Sequence, residues 1–134
     1  MKTALIALLC TFASTATHAV DFFQCWSEHN EDYANIVRIN IDTETLTTDA
    51  DGNTFKARRV LGAVGRTSFI PADGIGTATD DKIDLLLVRD DIIVGKIDAT
   101  IGADPNYLHG TIQMQDVRDN QPVQIDCVHH DLGN

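Results

Sequence analysis

The chain reads as an all-β protein: a small antiparallel up-and-down barrel, or barrel-like meander, closed by one disulfide, with a β-sandwich as the alternative. Three observations predict this. Short runs rich in Val, Ile, Leu and Phe alternate with turn signals built from Asp, Gly, Asn and Pro. No amphipathic helical periodicity follows the first twenty residues. Cys25 and Cys127 lie near the two ends of the remaining chain, and a bridge between them brings the first and last strands together.

The N-terminus has the pattern of a secretory signal peptide. Lys2 precedes an apolar run over residues 4–13, interrupted only by Thr11 and too short to span a bilayer. Thr17-His18-Ala19 places small residues at the two positions a signal peptidase inspects, so cleavage is expected after Ala19. Residues 1–19 are then a signal peptide and residues 20–134 a single β domain, periplasmic or secreted. Cleavage removes Cys10 and leaves two cysteines in an oxidising compartment. A bridge closing about 100 residues stabilises by roughly 4–5 kcal/mol in the chain-entropy model.

Strands are expected over residues 21–27, 33–41, 54–63, 68–70, 82–88, 92–101, 108–117 and 122–128, with a short one over 45–48. Asp51-Gly52-Asn53 reads as a hairpin turn, since Gly and Asn tolerate positive φ. Residues 65–81 read as a long connection. In the second half a register can be proposed from facing side chains. A three-residue loop, Arg89-Asp90-Asp91, pairs Asp84 with Lys96 and Lys82 with Asp98, favourable cross-strand charges. A two-residue loop at Asp90-Asp91 would mix polar and apolar residues on both faces. The turn Ala103-Asp104-Pro105-Asn106 sets Ile97 opposite Ile112 and Ile101 opposite Leu108. The turn Arg118-Asp119-Asn120-Gln121 sets Met114 opposite Ile125 and Ile112 opposite Cys127. The inward face then holds Ile83, Leu85, Leu87, Ile93, Ile97, Ala99, Ile101 and Cys127.

The net charge is −10, and loss of Lys2 with the signal peptide makes it −11. Such a chain repels nucleic acid and anionic membranes and attracts cationic partners. Against this background Lys56, Arg58, Arg59 and Arg66 form a basic cluster uninterrupted by any acidic residue. Lys56 and Arg58 share a strand face with Val60, and Arg59 falls on the other, with Phe55, Ala57 and Leu61. An inward Arg59 would be costly unless paired, so either a bulge turns it out or it holds an anion at the barrel mouth. These four residues are the candidate anion-binding site.

Leu86, Val88, Ile92 and Val94 fall on the face expected to meet solvent. They are either covered by residues 65–81 or form a contact patch for a partner. Chemistry has thin support. Gly74-Ile75-Gly76-Thr77 lacks the lysine and third glycine of a phosphate loop. Reading residues 47–58 as a calcium loop puts Arg58 where a carboxylate is required. His29 and His129 separate by roughly 20 Å if the outer strands are antiparallel, which leaves only the His129-His130-Asp131 end as a weak metal-binding possibility. No cofactor or metal is expected.

The functional expectation is an exported, non-catalytic binding module, an acidic binder or inhibitor of a basic protein. The alternatives are a small-molecule carrier with a mouth site near Arg59, or a metal-assisted enzyme. The small disulfide-closed β layout set by Cys25 and Cys127 resembles that of bacterial periplasmic lysozyme inhibitors, in layout and without that family's motif residues.

Overall fold

A computed structural model describes residues 21–27, 36–68, 70–115 and 120–131, with β-strands as the only extended elements. The predicted signal peptide, its cleavage site, His29 and residues 118–119 of the last turn lie outside the described residues. Nine strands are present among the described residues: β1 (Asp21–Trp26), β2 (Val37–Thr48), β3 (Thr54–Val64), β4 (Thr67–Ser68), β5 (Ala72–Ala78), β6 (Lys82–Arg89), β7 (Ile92–Ile101), β8 (Leu108–Met114) and β9 (Val123–Asp131). Eight of them close an antiparallel barrel in the order β1-β2-β3-β5-β6-β7-β8-β9, and β9 returns to β1. The two-residue β4 pairs only with β3. Closure removes the sandwich alternative, because no sheet edge is left to make two layers.

Alternation along each strand builds the interior. Phe23 and Cys25 on β1, Val37, Ile39 and Ile41 on β2, Ile83, Leu85 and Leu87 on β6, and Ile97 and Ala99 on β7 are all buried, and they belong to one cluster. Cys25 and Cys127 are direct cross-strand partners, bonded to each other, with Cα atoms 4.1 Å apart. The bridge therefore lies inside the barrel, on the β1–β9 seam where first strand meets last.

The predicted connection over residues 65–81 is instead largely strand, since β5 fills the place between β3 and β6. Its glycines hid it. Gly76 has φ +141°, and a Cβ there would overlap the Asp84 carbonyl oxygen of β6. The glycine belongs to a close approach of two backbones. Within the described residues the segments expected over 33–41 and 45–48 join from Val37 on as one strand, β2, with a register shift between Ile41 and Glu44. The hairpin that follows is capped by Asp49, whose Oδ1 accepts from the backbone N–H of Asp51 and Asn53, each at 2.9 Å.

Two registers differ from expectation. The β6–β7 turn is the two-residue Asp90-Asp91 loop, with φ of 53° and 62°, and Arg89 pairs with Ile92. Carried on without interruption, that register would set Asp84 opposite Ile97. A bulge at Val94 shifts it by one, so Leu87 meets Gly95 and Leu85 meets Ile97. As a result Asp84 faces Asp98 and Lys96 faces Leu86, in place of the predicted Asp84–Lys96 and Lys82–Asp98 pairs. Lys82 sits 3.8 Å from Asp84 on its own strand.

Strands β8 and β9 are displaced by four residues from the predicted register. Cys127 pairs with Leu108, Ile125 with Gly110 and Val123 with Ile112, while Met114 pairs with Gly95. Pro122 has no N–H for the ladder, and β9 begins just after it. A shift of four is even, so the inward face is unchanged. The β7–β8 register is as expected, with Ile97 opposite Ile112 and Ile101 opposite Leu108, but Ile101, expected inward, is exposed at the end of β7.

Candidate functional site

An eight-stranded barrel has an interior just wide enough to be filled by side chains or to hold one small ligand. Here the fully buried side chains include Phe23, Ile41, Ile70, Ile83, Leu85, Leu87, Ile97 and Ile112, packed as one cluster. The candidate sites are accordingly one barrel mouth and the outer walls.

The mouth is organised by Arg58. The β2 bulge sets two residues, Asp42 and Thr43, against Arg59, and β3 turns Arg58 and Val60 inward. Arg59 faces solvent, as the bulge alternative had it, but the bulge lies on the neighbouring strand and Arg58 takes the inward place. Arg58 is 8% exposed, and both terminal nitrogens of its guanidinium are engaged. It donates to Asp21 Oδ1 at 2.7 Å, to Asp21 Oδ2 at 3.4 Å, to the Asp42 carbonyl at 3.0 Å and to the Ala78 carbonyl at 3.4 Å. It also lies 5.4 Å from the centroid of the Phe23 ring. Thr43, in the bulge, donates to the Asp21 carbonyl at 2.7 Å and so fixes the start of β1 beneath Arg58. The Arg58 guanidinium holds the Asp21 carboxyl below the ordinary carboxylate range, with a smaller contribution from His129.

His129 extends this network. Its ring stacks on Phe23 at 4.4 Å, Nδ1 contacts Asp80, and the buried Nε2 stands 3.7 Å from Asp21 Oδ1. His130, the next residue, stacks on Phe22 outside the barrel. Adjacent strand residues point to opposite faces, so the two histidines cannot share a metal. Among the described residues no three His, Cys, Asp or Glu side chains are grouped to hold one. The other members of the basic cluster do not join Arg58. Lys56 is exposed and 3.8 Å from Glu44, and Arg66 is exposed in the turn before β4.

The outer wall of β6 and β7 carries the aliphatic patch. Leu86 is 45% exposed, Ile93 52% and Ile92 61%, and Val88 is half-buried beside them. Because of the bulge, Val94, expected outward, packs against the core, and Ile93, expected inward, faces solvent. Residues 65–81 do not cover the patch, since β5 lies beside β6 as a neighbouring strand. Asp84 and Asp98 flank it on one side and Asp90 and Asp91 end it on the other.

The opposite wall was missed by sequence reasoning. Phe22, Gln24 and Trp26 face outward on β1, between the inward Phe23 and Cys25, and meet His130, Val128 and Asp126 of β9. Asp126, 6% exposed, lies between Trp26 and His109 and contacts His109 Nδ1 through Oδ1. Trp26 packs edge-on to Tyr107 with centroids 5.8 Å apart. The period-two alternation of Phe22, Gln24 and Trp26 was visible, but its partners depend on which strand lies beside β1.

Fold and surface define a class: a closed, filled, disulfide-bonded antiparallel barrel whose distinctive chemistry lies on its outer walls and at one mouth. No protein-family model, curated protein or solved structure matches the chain.

Proposed function

We propose that the protein is an exported binding module without chemistry of its own, which docks a basic protein on the outer wall of β6 and β7. The observation that carries this reading is the exposed Leu86, Ile92 and Ile93 group framed by Asp84, Asp98, Asp90 and Asp91, four carboxylates against the two cations Lys96 and Arg89 that pair with Leu86 and Ile92. Apolar contact would supply salt-resistant affinity, and the acidic frame would supply attraction and choice of partner. A second copy is a poor occupant, since each mature chain would bring a charge of −11 to the contact. Export is supported by the N-terminal pattern and by the disulfide, which persists in the periplasm or outside the cell. An inhibitor of a basic hydrolase is one form such a module takes. The filled interior and the outward Arg59 weigh against a carrier.

The test is capture from the native envelope or secreted fraction with the mature protein and two variants, over a salt series. A specific partner is expected to be basic and to elute between 0.1 and 1 M salt, as the Debye length shrinks from ~10 to ~3 Å. Leu86→Ser with Ile93→Ser is expected to weaken its binding at every salt concentration. Asp90→Lys with Asp91→Lys is expected mainly to slow association. An acidic partner, or one indifferent to both variants, would refute the reading.

A further inference from the structure

The wall formed by β1, β8 and β9 lies on the far side of the barrel from Leu86, with β1 four strands from β6 in either direction. Its composition differs from that of the β6–β7 wall. The outward residues there are Phe22, Gln24 and Trp26, joined by Tyr107, His109 and His130, with Val128 as the sole aliphatic side chain among its outward β9 residues.

These rings are held in place. His130 stacks on Phe22 at 4.7 Å and donates from Nε2 to Gln24 Oε1 at 2.8 Å. His109 is clamped between Asp126 and Gly102, where a Cβ would overlap the imidazole. Trp26 is braced by the edge of Tyr107. A site built this way loses little side-chain freedom when a ligand arrives.

Geometry and chemistry together select the ligand. We infer that this wall binds a neutral oligosaccharide, laid along β1 from Trp26 and Tyr107 towards Phe22. A sugar ring offers an apolar C–H face and a rim of hydroxyls. The wall offers aromatic rings beside planar hydrogen-bonding groups: His109 and Gln24, with Asn40 of β2 next to Gln24. Asp126 is buried and engaged by His109 Nδ1, so it positions that partly exposed ring rather than meeting a ligand itself. Trp26 and Phe22, four residues apart on a strand, are separated by ~13 Å, which suits an extended chain of rings better than a single compact ligand. The charge of the mature protein disfavours nucleic acids and acidic lipids, which also use aromatic platforms. Protein interfaces are also rich in Trp and Tyr, so capture of a protein through this wall is one of the outcomes that the test separates.

The chain has a single tryptophan, Trp26, so intrinsic tryptophan emission reports on this wall alone. The test titrates the mature, disulfide-bonded protein with neutral tetra- to hexasaccharides of the cello-, xylo-, malto- and chito-series. It follows Trp26 emission and, in parallel, heat by calorimetry. At least one series is expected to give a saturable change. Tyr107→Ala, in an exposed position before β8, and Gln24→Ala are each expected to weaken that binding at least fivefold, while their melting temperatures stay near the parent's. Leu86→Ser with Ile93→Ser is expected to leave it unchanged, which separates this inference from the protein-docking reading. Absence of saturable binding across all four series would overturn the inference. So would sugar binding that Tyr107→Ala leaves intact, or a captured protein whose binding depends on Tyr107 and Gln24.

Discussion

At the scale of single residues the unusual feature is an arginine inside an apolar barrel. A buried guanidinium is tolerable only when its donors are satisfied and its charge is met. Arg58 meets both conditions through Asp21 and the carbonyls of Asp42 and Ala78, and Phe23 lies beneath it. It thereby ties β1, β2 and β5 together at one mouth. Removing one partner is expected to cost more than removing both. Arg58→Met alone should destabilise by about 1–3 kcal/mol, below the value for a fully buried pair because Asp21 keeps some solvent. Arg58→Met with Asp21→Asn should recover part of that loss, as read by urea denaturation at pH 7. The acid limb follows from the same pair. The Asp21 carboxyl titrates lower in the folded than in the unfolded chain, mainly because of its hydrogen bond from Arg58. Its stabilisation is present above the unfolded carboxyl range and is lost as pH falls through the folded value. Asp49, held down by N–H groups in its turn, adds loss in the same direction. The parent should therefore lose melting temperature below about pH 4. Asp21→Asn should start lower at pH 7 and fall less steeply over that window. A steeper acid limb in the variant would show that the pair is not the cause.

At the scale of elements, the β6–β7 hairpin shows how a turn and a bulge work together. A two-residue loop with both residues at positive φ twists in the same sense as the strands. Alone it would have put Asp84 opposite Ile97, with polar and apolar residues mixed on both faces. The extra residue at Val94 restores inward pairing for every residue beyond it. Asp is only an adequate occupant of those turn positions. Asp90→Asn with Asp91→Gly should stabilise by about 0.5–1 kcal/mol, because Asn-Gly is favoured in such turns. A loss of stability would argue against the two-residue turn. Ile97, wholly buried opposite both Leu85 and Ile112, is the core reference for the element. Ile97→Ala should cost about 2–5 kcal/mol by opening a cavity. Lys96→Ala, on the outer face of the same strand, should cost under about 1 kcal/mol.

At the scale of the whole molecule, closure is the organising event. The seam between β1 and β9 joins segments 102 residues apart in sequence, and the disulfide spans it at paired positions. In the unfolded chain the cross-link removes loop-closure entropy, worth roughly 4–5 kcal/mol for a loop of this length. Reduction should therefore lower the melting temperature markedly, and alkylation without reductant should find no free thiol in the mature protein. Labelling of two thiols per chain would contradict the bridge. Closure also sorts the outside of the molecule into separate walls. It places the aliphatic patch on β6 and the ring-rich stripe on β1 at opposite sides, so one small barrel can present two unlike surfaces.

The sequence by itself determined the all-β class, the inward alternation of most strands, the bridge between Cys25 and Cys127, and the strongly acidic balance. All four depend on local period, composition or the pairing of two cysteines, quantities that a linear chain carries. Only the tertiary structure decided that residues 72–78 are a strand, that Arg58 rather than Arg59 turns inward, that Ile93 and Val94 exchange faces, and that Asp84 meets Asp98. Each of these turns either on a bulge, at Ile41–Glu44 or at Val94, where a shift of one residue reverses the faces on one side of it, or on the close backbone approach at Gly76. The ring-rich wall was hidden for a related reason. Trp26, Asp126 and His109 lie far apart in sequence and become neighbours only when β9 closes the barrel between β8 and β1. Local period fixes the face on which a side chain lies, and the closing of the sheet selects the side chains beside it.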